Sequence, residues 1–414
     1  MKTKILLLSL LCSGNLMAQS PASKPTSEKT GIDLSLWHNI STQPNDSTSN
    51  TLLNLGIISK MNKLYGVGVN VLGGVTKQDV CGVQIGGLFN VAGNRMQGVQ
   101  IAGITNVNGD EMYGVSVSGL VGITGDKTRG VLASGLVGIT GDKTQGVMLS
   151  GLLNVSGNRT QGIQIAGIAN ISGGSMQGVQ LGGLANVSGG SVNGLQLSGL
   201  LNVAGGSVSG LQFAGLLNVA GENLNGVQAG VMNVAVRARG LQIGLFNYYH
   251  KSMDGLQLGL INASPKTRVQ MLTTVGTGNL FQVGARFQNP YSYTIVGIGT
   301  YNPDYGSKLS TSFIYRMGLT LPVCERWSVS GDLGYQHTQT MANRHHGYPS
   351  SLYALQARLN VEHRFTDRLG GFITGGYGWD RQYGHCSPIG HDFFFEAGIS
   401  IDCGRLFKSS TQVD

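Results

Sequence analysis

The chain has 414 residues and a formal net charge of +8, with 66 glycines, 41% apolar residues and only 12% charged residues. Disordered chains combine low apolarity with high net charge, so this composition excludes a disordered protein, and the length allows two domains or one long repeat array. The basic residues form no cluster, so we expect no nucleic-acid partner.

Residues 1–18 have the pattern of a signal peptide. Lys2 and Lys4 form a basic start, residues 5–11 form an apolar run, and Ala18 precedes a plausible cleavage point. The run is too short for a transmembrane helix, and no later stretch is long and apolar enough. We therefore expect an exported protein, and any membrane span must be a β-barrel.

The cysteines do not form a disulfide scaffold, because they are few and widely spaced. Cys12 is an alternative lipidation site, which the bulky Leu11 before it disfavours. Cys386 and Cys403 could form one bridge in an oxidising compartment, and isolated buried thiols are an equal alternative.

A polar leader, residues 19–31, precedes a segment of N-terminal strands at 32–65. Within that segment, residues 32–42 and 51–60 are predicted to be strands, joined by the turn-forming stretch QPNDSTSN.

A sixteen-residue phrase repeats through residues 66–265, with its clearest copy, GVQIAGITNVNGDEMY, at 98–113. Valine and isoleucine at alternating positions favour strands, and each unit has room for two short strands and two turns. A fixed period indicates one small unit stacked many times, so the array is predicted to be a parallel β-solenoid. The first glycine of each unit falls at positions 66, 82, 98, 114, 130, 146, 162, 178, 194, 210 and 226.

Glutamine and asparagine each recur once per unit, and stacked amides are predicted to hydrogen-bond from coil to coil. The glutamine column lapses at Ser116, Leu132 and Met148, and the asparagine column lapses at Gly122 and Gly138. The glutamines are Gln84, Gln100, Gln164, Gln180, Gln196, Gln212 and Gln228, and the asparagines are Asn90, Asn106, Asn154, Asn170, Asn186, Asn202 and Asn218.

The charged residues of the array gather in one turn, which we interpret as a solvated turn rather than a binding site; they are Arg95, Asp110, Glu111, Asp126, Lys127, Asp142, Lys143, Arg159 and Glu222. After Gly226 one residue is lost between the glutamine and the asparagine of each unit. Loss of one residue from a strand reverses the facing of all that follows, so we expect the array to change architecture around residues 237–265.

Residues 266–414 have the pattern of bacterial outer-membrane barrel strands. Aromatic residues become frequent, and Tyr291, Trp327, Trp379 and Phe393 stand near predicted strand ends, as in interfacial girdles. With the two N-terminal strands, a barrel of roughly eight to ten strands could close. An alternative is one large continuous barrel that includes the repeats. The predicted strands are 280–287, 291–301, 308–322, 326–338, 352–365, 368–379 and 392–403.

The repeated G-[VIL]-Q-[IL]-x-G-[LI]-x-N phrase, after a signal peptide and before barrel-like strands, resembles the glycine-rich surface-repeat proteins of Gram-negative bacteria. The resemblance covers residues 66–262 and implies an exported protein of the cell outer membrane or cell surface. It supplies no catalytic residues.

The sequence predicts no catalytic, cofactor-binding or metal-binding residues. His345, His346, His385, Cys386 and His391 are spaced as exposed loop residues and not as a metal site.

Three functions remain as hypotheses. The first is a non-enzymatic surface protein with outer-membrane lipid as partner, whose polar ladders contact glycans, host proteins or neighbouring proteins. The second is an outer-membrane pore, and the third is a polysaccharide lyase on a β-helix, which lacks an acidic or basic cluster in the array.

Overall fold

The computed structural model describes residues 29–37, 40–43, 49–300, 310–340, 351–383 and 388–406. Within these residues the secondary structure consists of strands, arranged as a parallel β-solenoid followed by a closed antiparallel barrel. None of the described residues forms a helix that is long and apolar enough to cross a membrane.

The solenoid begins with the N-terminal strands. β1 is Lys29–Trp37, β2 is Ile40–Ser41, β3 is Ser49–Met61 and β4 is Lys63–Thr76. β1 pairs in parallel with β3, and β3 pairs in parallel with β4. The expectation that N-terminal strands help to close the barrel is therefore wrong, because these strands are the first coils of the solenoid.

Each coil of the array contains one long and one short strand, and each strand pairs in parallel with its counterpart sixteen residues away. These pairings confirm the predicted solenoid and exclude a continuous barrel, whose membrane strands would be antiparallel. In order the strands are β5 Val80–Gly86, β6 Phe89–Ala92, β7 Met96–Ala102, β8 Thr105–Asn108, β9 Glu111–Ser118, β10 Val121–Thr124, β11 Lys127–Ser134, β12 Val137–Thr140, β13 Lys143–Ser150, β14 Leu153–Ser156, β15 Thr160–Ala166, β16 Ala169–Ser172, β17 Met176–Gly182, β18 Ala185–Ser188, β19 Val192–Ser198, β20 Leu201–Ala204 and β21 Val208–Ala214.

The first glycine of each unit allows close stacking of the coils. Gly98 has a φ of 128°, in the region that favours glycine, and a Cβ there would lie 2.0 Å from the carbonyl oxygen of Gly82. The same geometry recurs from Gly82 to Gly226, so the fixed period of glycine follows from the stacking of backbones.

The solenoid continues to residue 263, beyond the point where the repeat shortens. β22 is Leu217–Ala229, β23 is Met232–Ile243, β24 is Phe246–Leu258 and β25 is Ile261–Ala263. The predicted change of architecture is wrong, because the lost residue comes from a turn and not from a strand. The turn between the long and the short strand is residues 214–216 in one coil and only residues 230–231 in the next. Strand facing is preserved, and Asn233 is fully buried like Asn218.

Eight antiparallel strands form the barrel, which closes through the pairing of the first with the last. The sequence predicted seven of them and missed the first, in which threonines on both faces blur the alternation. The strands are β26 Arg268–Gly276, β27 Phe281–Gln288, β28 Ser292–Thr300, β29 Ser310–Pro322, β30 Trp327–Thr340, β31 Ser351–Arg364, β32 Leu369–Gln382 and β33 Pro388–Arg405.

Candidate functional surface

The glutamine and asparagine columns form hydrogen-bonded ladders inside the solenoid. Gln180 Nε2 donates to Gln164 Oε1 at 2.8 Å, whereas Asn170 Nδ2 donates to Asn186 Oδ1 at 2.9 Å. The predicted ladders are thus confirmed, and their donors point in opposite directions along the solenoid. The expectation that they offer contacts to a partner is wrong, because the amides of both columns are buried.

Each asparagine also connects its coil to the next one at a turn. Asn170 Nδ2 donates to the carbonyl oxygen of Leu181 at 2.8 Å, and Asn154 makes the equivalent bond to Ile165. The accepting carbonyl lies just before the turn that joins the long strand to the short one. The column therefore stabilises that turn as well as the stack.

The lapses in the two columns are complementary. A Cβ added to Gly122 would lie 2.8 Å from Leu132 Cδ1, and a Cβ added to Gly138 would lie 3.5 Å from Met148 Cε. Leu132 and Met148 are fully buried and replace glutamines. Loss of the asparagine therefore makes room for the larger apolar side chain ten residues later.

A turn follows each long strand and leads into the short strand. The outward side chains of both strands are apolar next to this turn. We define the apolar edge as this turn together with the aliphatic columns that flank it. In the unit at 98–113, Val99 and Ile101 point outward from the long strand, Ile104 lies on the turn, and Val107 points outward from the short strand. The turn position is exposed in eleven successive coils, at Leu88, Ile104, Leu120, Leu136, Leu152, Ile168, Leu184, Leu200, Leu216, Val231 and Leu245.

The opposite turn of each coil is polar, and we call it the polar edge. Glu111 lies here, 3.1 Å from both Arg95 and Lys127 on the neighbouring coils. The hydrogen bond from Lys127 lowers the pKa of the Glu111 carboxyl and raises the pKa of the Lys127 amine. These exposed pairs are consistent with a hydrated turn and contribute little to stability.

The barrel has an apolar outer wall and a polar interior. Leu333, Leu359 and Phe393 point outward and are each at least 69% exposed. Trp327 and Trp379 are exposed near opposite ends of the barrel, as predicted for girdle residues. This distribution is the reverse of that in a water-soluble protein and matches a transmembrane barrel.

Ion pairs cross the barrel interior. Arg286 and Glu362 lie on strands that are four apart. Arg286 Nη2 donates to both carboxylate oxygens of Glu362, at 2.8 and 2.7 Å. Arg358 and Glu396 form a second pair whose side chains are fully buried. Eight-stranded barrels have interiors just wide enough for side chains to fill, and both pairs lie in the interior of this one.

The last solenoid coil contacts the barrel through its apolar edge. Tyr315 lies on the outer wall of β29, and its hydroxyl donates to the carbonyl oxygen of Gly259, in the turn of the last coil, at 2.6 Å. Asn289 Nδ2 donates to the carbonyl oxygen of Asn262 at 2.8 Å. An open groove of about 1090 Å³ lies between the last coils and the barrel wall, lined by residues such as Met253, Leu256, Leu319, Leu333, Phe393 and Phe395.

The chemistry considered at the sequence level falls mainly outside the described residues. This applies to His345, His346, His385 and Cys386, and to the side chain of His391. Cys403 is a free, exposed thiol. Among the described residues, no group of three or more histidine, cysteine or acidic side chains could hold a metal ion.

Sequence reasoning missed the apolar edge. Its signal is present in the sequence, because the nine-residue stretches from 83–91 to 211–219 that carry the outward aliphatic columns contain no charged residue. Apolar columns in a soluble solenoid would be expected to point inward, and this expectation hid the inverted arrangement.

No protein-family model and no curated protein matches the chain. Solved structures match about one third of the chain. A de novo designed transmembrane β-barrel is 18% identical with a TM-score of 0.23, and the match covers 33% of this chain and 96% of that one. The N-terminal barrel domain of Pseudomonas aeruginosa OprF is 10% identical, with the same TM-score and coverage.

OmpT of Vibrio cholerae is 11% identical with a TM-score of 0.17, over 32% of this chain and 42% of that one.

Proposed function

We propose that this chain is an outer-membrane protein in which the barrel anchors the solenoid, and that the solenoid is a non-enzymatic scaffold or contact surface. The observation that carries the proposal is the apolar outer wall of a closed barrel whose interior is polar. A wall of this kind is stable only when lipid covers it. The resemblance of the repeats to Gram-negative surface-repeat proteins agrees with this location.

The lengths of the barrel turns support an orientation with the solenoid on the periplasmic side. At the end where the solenoid joins, the connections are residues 289–291, 323–326 and 365–368. At the other end, two connections are longer, residues 301–309 and 341–350. Outer-membrane barrels have short periplasmic turns and longer extracellular loops. We therefore propose a periplasmic solenoid in place of one exposed at the cell surface.

The repetition of the solenoid supports a scaffold rather than an enzyme. In most coils the same side chains occupy the same positions, and the buried amides are paired in the ladders. A catalytic site would require one coil to differ through a cluster of reactive groups.

The barrel interior disfavours the pore hypothesis. The Arg286–Glu362 and Arg358–Glu396 pairs occupy the interior, which leads us to expect no steady ion conductance in planar bilayers. Steady conductance of the purified full chain would favour a pore and would argue against this part of the proposal.

A substitution on the barrel wall tests the membrane anchor. Leu359→Arg places a charge on the outer wall at mid-strand, and we expect it to destabilise the barrel by about 2–4 kcal/mol in lipid. Glu325→Arg in a short turn is the matched control and is expected to have little effect. The measurement is the urea midpoint of the folded barrel in lipid vesicles, followed by its gel mobility. Equal stability of the two variants would contradict a lipid-facing wall.

A further inference from the structure

We infer that the apolar edge of the solenoid is embedded in the hydrocarbon of the periplasmic leaflet of the same membrane. The inference rests on the proposed outer-membrane location of the barrel and adds a second membrane-binding surface to it. The partner is a lipid surface, recognised by aliphatic side chains along one edge of a rod.

The chemistry of the edge matches acyl chains. Outward positions around the turn are aliphatic in coil after coil, and the stretches that carry them lack charge from residue 83 to residue 91 and at each repeat to 211–219. Charged residues of these coils lie at the polar edge or on the strand beside it, as Arg95, Glu111 and Lys127 do. Monomeric soluble proteins rarely expose a continuous apolar strip of this extent.

The backbone of the turn is also suited to lipid. A turn in hydrocarbon requires its amide and carbonyl groups to be paired, because no water is present to pair them. Leu120 N donates to Ile104 O at 2.9 Å, and Leu136 N donates to Leu120 O at 2.9 Å. Gly119 N donates to Ala102 O at 3.1 Å, and Asn106 satisfies the carbonyl of Val117. Coil-to-coil bonds thus replace the water that a solvated turn would use.

The apolar edge is continuous with the lipid-facing wall of the barrel. Gly259 belongs to the apolar edge of the last coil, and it contacts Tyr315 on the outer wall. Tyr315 lies seven residues from Pro322, at the short-turn end of β29. At about 3.3 Å per residue this is roughly 23 Å along a tilted strand, which brings the contact within the apolar band. The last coil therefore meets the barrel beside hydrocarbon and not at the polar rim.

Dimensions indicate that the solenoid lies in the plane of the membrane. Coils stack about 4.8 Å apart, so the eleven turn residues from Leu88 to Leu245 span about 50 Å. This exceeds the roughly 30 Å hydrocarbon thickness, so a rod along the membrane normal would leave apolar coils in water. Across one coil, the strand from Val99 to Ala102 covers about 10 Å at about 3.3 Å per residue before the turn at Ile104, which fits within the roughly 15 Å of one leaflet.

The test is the depth of a fluorophore at matched positions of one coil. In the full chain with its native cysteines replaced by serine, Leu152→Cys on the apolar edge and Asn158→Cys on the polar edge are labelled with an environment-sensitive dye. The protein is reconstituted into phosphatidylethanolamine and phosphatidylglycerol vesicles with or without brominated acyl chains. Leu200→Cys repeats the apolar-edge measurement in another coil in case the first variant fails to fold.

We expect brominated lipid to cause a severalfold loss of fluorescence at position 152 and soluble iodide to quench only position 158. Leu359→Cys on the barrel wall separates the two proposals. If lipid quenches position 359 while iodide quenches position 152, the embedded edge is wrong and the membrane barrel stands. If neither reagent quenches position 152, protein covers the edge, as in a dimer, and the inference is also wrong. Failure of lipid to quench position 359 overturns the proposed outer-membrane barrel itself.

Discussion

At the scale of single residues, the stack depends on positions where only one kind of side chain fits. Gly162 has a φ of 131°, and a Cβ there would lie 2.0 Å from the carbonyl oxygen of Gly146. The neighbouring Gln161 is half-buried and tolerates variation, because glutamine, tyrosine, arginine, asparagine and serine occupy its position in other coils. The repeat is therefore strictest where backbones meet.

Gly162→Ala is expected to destabilise the solenoid by about 1–3 kcal/mol from backbone conformation alone, with a further cost from the close contact. Gln161→Ala is the control on the adjacent residue and should change the free energy of unfolding by about 0.5 kcal/mol or less. Chemical denaturation followed by circular dichroism measures both. An alanine tolerated equally well at the two positions would show that the glycine column is not required.

A second residue-scale prediction concerns Gly122 and Leu132, which stand where other coils have an asparagine and a glutamine. Gly122→Asn should cost about 1–3 kcal/mol, because its side chain would overlap Leu132 and Ser134. Adding Leu132→Gln should recover most of that loss, because asparagine and glutamine occupy these two positions together in other coils, as at Asn90 and Gln100. A double variant that is no more stable than the single variant in urea would contradict the complementarity of the two positions.

At the scale of elements, the sequence predicted more about pairing than about facing. The sixteen-residue period was sufficient to predict parallel strands and amide ladders, as Gln180 and Gln164 confirm. It could not indicate which side of a strand is inside, because each side of the strand carries both a polar and an apolar residue. Gln97 and Val99 both point outward, and Met96 and Gln100 are both buried.

The barrel illustrates the same limit. Alternation and aromatic residues predicted seven of its strands, but closure requires β26, in which Thr273 and Thr274 point to opposite sides. The interior ion pairs also could not be predicted, because Arg286 and Glu362 are 76 residues apart and meet only when the barrel closes.

Breaking one interior pair should destabilise the barrel. Glu362→Gln leaves Arg286 buried without its counter-charge, and we expect a loss of about 3–5 kcal/mol. Replacing both residues together, by Arg286→Met and Glu362→Leu, should be close to neutral because no uncompensated charge remains. The urea midpoint of the barrel measures both variants. If the single variant were as stable as the parent chain, the pair would have no structural role.

At the scale of the whole molecule, two apolar surfaces meet at one junction. The outer wall of the barrel and the apolar edge of the solenoid are joined where Tyr315 contacts Gly259, and the groove beside them is lined by apolar residues. The amides of the glutamine and asparagine columns are turned inward, whereas the charged residues of the solenoid face outward at the polar edge. The barrel wall and the apolar edge therefore share an apolar outer surface over a polar interior.

Sidedness of labelling tests the central claim that an outer-membrane barrel holds the solenoid on its periplasmic side. In the cysteine-replaced chain, Leu280→Cys reports the end of the barrel with the longer connections, Glu325→Cys reports the short-turn end, and Asn158→Cys reports the solenoid; all three positions are exposed. In intact cells, a membrane-impermeant maleimide should label position 280 alone, and positions 325 and 158 should become reactive after the outer membrane is permeabilised. Labelling of position 158 in intact cells, with position 325 still protected, would contradict the account.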